Sequence, residues 1–79
     1  MRRDHLLSIL RRRPFKPFRV TVSTGETFDV THPEMMLIAE TFVAIAMPRP
    51  GASLPEISNL AWIDLVHVVH CQPLESAAA

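Results

Sequence analysis

His67-Val68-Val69-His70-Cys71 places two imidazoles and the chain's single thiol close together. Imidazole and thiolate are good zinc ligands. On a strand, residues an odd number apart face opposite sides, so His67 diverges from His70 and His70 from Cys71. A single chain offers no obvious fourth ligand, and the sequence indicates neither a metal nor a cofactor. The same groups invite a nucleophilic reading, with Cys71 beside His70 or His67, or Ser23 beside His32 and Asp29. Such a set needs its base within hydrogen-bond reach and a third group to orient it. Cys71 reads as a buried strand residue, and a domain this small has little room for a substrate cleft. No enzymatic activity is expected. The plainer expectation pairs Asp64 with His67 locally at a turn.

A second chemistry belongs to the cations. Residues 1–19 carry Arg2, Arg3, Arg11, Arg12, Arg13, Lys16 and Arg19 against Asp4 alone, a net of +6. Residues 20–79 carry Arg49 against seven carboxylates, a net of −6, so the chain is neutral but polarised. Arg2, Arg3, Arg11, Arg12, Arg13 and Lys16 are therefore candidates for binding an anion or an acidic partner surface. Arginine pairs well with phosphate oxygens. Against a dedicated nucleic-acid binder stands the balanced charge, since such domains usually have a pI above ~9. Aromatic stacking on bases would also require Phe15 or Phe18 to be exposed. Arg11-x-x-Pro14-x-x-Pro17 matches a short pattern recognised by proline-binding domains, which arises often by chance. The structural expectation is that Phe15 and Phe18 anchor a helix–strand corner.

Seventy-nine residues make one domain, 1–79. A chain this size buries only roughly 60–65% of its unfolded surface, so its stability margin is thin. One cysteine excludes an internal disulfide, which leaves self-association as the favoured source of extra stability. A hydrophobic content of 48% points the same way, because so small a domain has much surface to wet. The longest apolar stretch is interrupted by Glu40 and Thr41 and is too short to span a membrane. The Arg-rich start has an apolar centre too short for a secretory signal and lacks a cleavage region. A cytoplasmic location is expected.

The elements that must position these groups can be read in order. Leu6, Leu7, Ile9 and Leu10 recur at helical spacing, predicting a helix over about 4–12, with Asp4 as its cap and Pro14 as its stop. Val20-Thr21-Val22 and Thr27–Thr31 alternate as half-buried strands around Ser23-Thr24-Gly25-Glu26, where Gly25 supplies a positive φ. His32-Pro33-Glu34 breaks the second strand. Met35–Ala39 and Phe42–Met47 form a second hairpin, apolar at nearly every position, as in strands buried on both faces. Pro48–Pro55 predicts a loop with a mobile tip. Leu60–Ile63 and Val66–Cys71 complete the strands around a brief turn at Asp64-Leu65, and 75–79 is a frayed tail. The fold expected is mainly β with one N-terminal helix, a small SH3-like or Sm-like five-stranded barrel over about 18–73.

"RRPFKPFRV", "STGETFDVTHPEM" and "LVHVVHCQPL" together resemble a group of short, uncharacterised bacterial proteins. Those proteins share Arg-Pro-Phe-x-Pro-Phe-Arg, a Gly turn, Phe-x-Val-x-His-Pro-Glu and a closing Leu-x-His before an apolar strand. The resemblance covers Arg12 to Leu74 and implies no activity. Val20-x-Val22-x-x-Gly25-x-x-Phe28-x-Val30 after a helix is more loosely similar to Sm-like RNA-binding proteins. His32-Pro33-Glu34 and Asp64-Leu65 stand where that family carries its RNA-contacting residues, so RNA binding is not implied.

These readings converge on a non-enzymatic module acting through self-association and protein interaction, in a scaffolding or regulatory role. The candidate interface is Met35, Leu37, Phe42, Val43, Ile45 and Met47. Trp62 and Met35-Met36 are expected in the core or an interface. The alternative is an Sm-like oligomer that binds nucleic acid through the basic N-terminal helix.

Overall fold

The computed structural model describes residues 1–47 and 59–74, so the expected Pro48–Pro55 loop and the 75–79 tail lie outside the described residues. The chain runs as helix α1 (Arg3–Leu10), strands β1 (Phe18–Val22), β2 (Thr27–Val30), β3 (Met36–Ile38), β4 (Phe42–Met47), β5 (Asn59–Asp64) and β6 (Val68–Pro73). Single 3-10 turns at Pro33–Met35 and Leu65–His67 separate β2 from β3 and β5 from β6. The protein is thus mainly β with one short helix.

The strands form two three-stranded antiparallel sheets, ordered β2-β1-β6 and β3-β4-β5. Six strands stand where five are expected, and no ladder among the described residues closes the sheets into a barrel. The added strand end has a cause in sequence. Pro33 has no N–H to give a ladder, so the chain breaks at His32-Pro33-Glu34, as expected, and resumes after the turn in the other sheet.

Alternation along each strand sends one row of side chains inward. Phe28–Val20–Cys71 and Val30–Phe18–Pro73 are cross-strand rows of the first sheet. Met36–Ile45–Ala61 and Ile38–Val43–Ile63 are their counterparts in the second. Leu6 from α1 is fully buried in this core, with Ile9 and Leu10 packed against it. Burying each such aliphatic side chain contributes roughly 1.5–3 kcal/mol, which is how an eight-residue helix, too short to persist alone, is held. The Met1 amino group adds two bonds, to the carbonyls of Leu65 at 3.0 Å and Val68 at 2.9 Å.

Several local expectations shift by a residue or two. The helix starts at Arg3, so Asp4 lies in its first turn without capping it, and Arg2 at the cap position makes no side-chain cap bond. The Asp4 carboxylate still meets the positive end of the helix dipole. The helix closes at Leu10, with the Arg11 N–H donating to the Leu7 carbonyl. Gly25 takes φ +93°, as the tight turn requires, and its N–H donates to the Val22 carbonyl at 2.9 Å. The last strand begins at Val68, because Val66 and His67 are spent in the turn. A bulge follows, since Thr21 pairs with His70 but Val22 with Val68. Val69 is left over and 60% exposed.

Candidate functional site

The outward rows of the two sheets differ in kind. In the first sheet they read Asp29–Arg19–Gln72 and Thr27–Thr21–His70. Arg19 Nε donates to Asp29 Oδ1 at 2.8 Å, and His70 Nε2 lies 3.0 Å from Gln72 Oε1. In the second sheet the central outward row is Leu37–Ala44–Trp62, flanked by Phe42 opposite Asp64 and Ala46 opposite Leu60. Leu37 is 71% exposed and Trp62 68%. Ala44 and Ala46 are buried, being short side chains among longer ones. The Phe42 and Trp62 rings stack diagonally across the ladder, their centroids 5.4 Å apart.

At the border of this face an open groove of about 660 Å³ lies between the β1–β2 turn and β5. Phe28, Ala61 and Ile63 line it, the Phe42–Trp62 pair walls it, and Glu26, Asp64, Ser23 and His67 rim it. The Leu65–His67 turn folds His67 back over the end of β1. There the Ser23 N–H donates to the His67 carbonyl at 2.8 Å, and Ser23 Oγ lies 3.0 Å from His67 Nδ1. This contact stands where an Asp64–His67 pair is expected. Glu26 shares a bond with the Thr24 hydroxyl at 3.2 Å. Neither Glu26 nor Asp64 is ion-paired among the described residues, whose single ion pair is Arg19–Asp29.

The cations gather elsewhere. Arg11, Arg12, Arg13 and Lys16 are exposed around the helix–strand corner, at the Phe18–Pro73 end of the first sheet. Arg2 and Arg3 are exposed at the start of α1. Arg3 Nε donates to the Ala39 carbonyl at 3.3 Å, and an Arg13 guanidinium nitrogen donates to the Arg12 carbonyl at 3.0 Å. None of the six meets a carboxylate among the described residues. Phe18 is buried and Phe15 half-buried, packed edge to face 6.1 Å apart. The aromatic half of the corner is therefore occupied with packing.

The sequence-derived nucleophile sets are not assembled. Ser23 meets His67 rather than His32, and Asp29 is held by Arg19. Cys71 turns inward, its thiol 3.9 Å from the Met1 sulfur, while His70 turns outward. Burial pushes the Cys71 thiol up to about 11, away from the thiolate that nucleophilic chemistry needs. Among the described residues no cluster of three or more metal-ligating side chains forms. Of the expected interface, Met35, Val43 and Ile45 are buried in the chain's own core, and Leu37, Phe42 and Met47 lie at or near the surface.

Trp62 as the centre of an outward apolar row, and the Ser23–His67 contact, were not foreseen from sequence. Period-two spacing in Leu60-x-Trp62-x-Asp64 carries the signal for the first. No local signal carries the second, which joins residues 44 positions apart. No family model, curated protein or solved structure matches the chain. Among the described residues no helix is long and apolar enough to cross a membrane.

Proposed function

We propose that the chain is a non-enzymatic interaction module that self-associates through the outward face of sheet β3-β4-β5, in a scaffolding or regulatory role in the bacterial cytoplasm. The observation that carries this reading is the outward Leu37–Ala44–Trp62 row, exposed at Leu37 and Trp62, beside the Phe42–Trp62 stack. An apolar sheet face of this kind is the usual mark of an interface. A small core with a thin margin also gains most from a partner surface. Strand order is what supports reading the fold as SH3-like or Sm-like. Counting β2 and β3 as two halves of one bent strand restores the count to five, with β1 between β2 and β6. Light scattering across a hundredfold range of concentration tests the reading. The expected result is a rising molar mass, lost in Trp62→Ala, and a constant monomer mass overturns it.

A second reading rests on the six cations that no described carboxylate answers. It makes the basic helix and corner a contact for nucleic acid. Binding to random RNA that falls steeply between about 50 and 200 mM salt would support it. Absence of binding at the lower salt removes it.

A further inference from the structure

We propose that the Phe42–Trp62 groove receives the cationic corner of a second copy of the chain, so that copies join head to tail. The proposal rests on the self-association read above and names the segment that the groove takes. The groove combines an exposed aromatic face with two carboxylates, Asp64 on β5 and Glu26 on the β1–β2 turn, neither ion-paired among the described residues. That is the chemistry of an arginine site. A guanidinium stacks flat on an indole while its edge pairs with a carboxylate, and tryptophan is the best ring for this. Phosphate groups are disfavoured in the same place, because both rim charges are negative.

Arg11, Arg12, Arg13 and Lys16 supply the complementary charge, and they too lack carboxylate partners among the described residues. A copy's own corner does not reach its own groove. Arg12 and Lys16 line the surface beside Phe18 and Pro73, whereas Val22, Ser23 and Thr24 line the groove. Phe18 and Val22 are the two ends of β1, about 13 Å apart at the rise of an extended strand. The sites thus sit at opposite ends of the first sheet, and charge matching is satisfied only between molecules. Two different patches meeting in this way make a heterologous contact, which closes into a ring or continues as a chain.

The experiment uses two charge-reversed chains, Arg12→Glu/Arg13→Glu in the corner and Glu26→Lys/Asp64→Lys in the groove. The corner pair lies beyond the end of α1. Sedimentation equilibrium measures the concentration at which association is half complete. Each variant alone should raise that concentration at least tenfold, and an equimolar mixture should return it to the wild-type value. In the mixture every acidic corner can find a basic groove and every basic corner an acidic one. Rising salt should weaken the wild-type assembly. A variant that associates like wild type, or a mixture of two cooperatively melting variants that does not recover, overturns the head-to-tail contact. If either reversed chain fails to melt cooperatively, R12Q/R13Q and E26Q/D64N replace the pair. Each must then weaken association at least threefold for the proposal to stand. Association lost in Trp62→Ala but kept in every charge variant overturns this contact and leaves the self-association reading intact. A wild type that stays monomeric removes both.

Discussion

Two sheets of three strands each, cut from one short chain, present opposite surfaces to solvent. Outward from β2-β1-β6 come Asp29, Arg19, Gln72, Thr27, Thr21 and His70. Outward from β3-β4-β5 come Leu37, Ala44, Trp62, Phe42, Ala46 and Leu60, with Asp64 at the corner. Both sheets send an apolar row into one core, Phe18, Val20 and Val30 from the first and Met36, Val43 and Ile45 from the second, so the core does not demand the difference. The first sheet follows the pattern of a sheet with one solvated side, and the second reads as apolar on both sides. What differs is the surroundings that each outer face is suited to. The polar one is finished by water, and in the proposed assembly the apolar one is finished by a second copy.

The largest expected effect comes from the shared inner face. Ile45→Ala, at a position 1% exposed, should cost about 2–4 kcal/mol of unfolding free energy, read by urea denaturation of dilute protein. Trp62→Ala, on the outer face of the neighbouring strand, should leave dilute-protein stability within about 1.5 kcal/mol, the scale of its ring stacking on Phe42. Its association should weaken at least tenfold. If the two variants behave alike, the distinction between inner and outer faces of the second sheet fails.

The first sheet supplies the smaller effects. Gly25→Ala meets no atom within 4 Å but must hold φ +93°, so it should cost about 1 kcal/mol in the same denaturation assay, through backbone strain alone. The Cys71 thiol faces the core, and burial raises it from 9.0 to about 11. Between those two values the unfolded chain has released the proton and the folded chain retains it. The thiol's contribution to stability should therefore be unchanged below about pH 9 and decline toward pH 11, and Cys71→Ser should remove that part of the decline. Alkylation of the native thiol should stay slow at pH 8 and accelerate only near pH 11. Asp29→Asn, on the polar outer face, should change stability least and leave the sedimentation profile as it is. A loss of association there would place the interface on the wrong sheet.

Much of this contrast is written in the chain itself. Alternation in Val20-x-Val22 and Thr27–Thr31, the Gly25 turn, the break at Pro33 and the doubly apolar Phe42–Met47 run all derive from local period and turn chemistry. The structure follows them within a residue or two. The burial of Val43 through Ala46 on both faces of β4 was legible as well. Three features were not. The division into two open sheets depends on which edges pair, which no local window contains. The fate of Met35, Val43 and Ile45 depends on register, and register turned them into the chain's own core rather than toward a partner. The bulge at Val69 and the extension of the expected Asp64-Leu65 turn through His67 decide where His67 and His70 point, and they go with tertiary bonds to the end of β1.

Trp62 is the chain's one tryptophan and lies in the central row of the outward face of β3-β4-β5. Its fluorescence emission, followed from nanomolar to near-millimolar protein, therefore reports directly on what covers that face. The expected result is the red emission of a wet indole at high dilution, shifting to the blue as concentration rises, in step with molar mass. Emission that stays red at every concentration, or that is already blue in a dilute monomer, contradicts an apolar sheet face completed by a second copy.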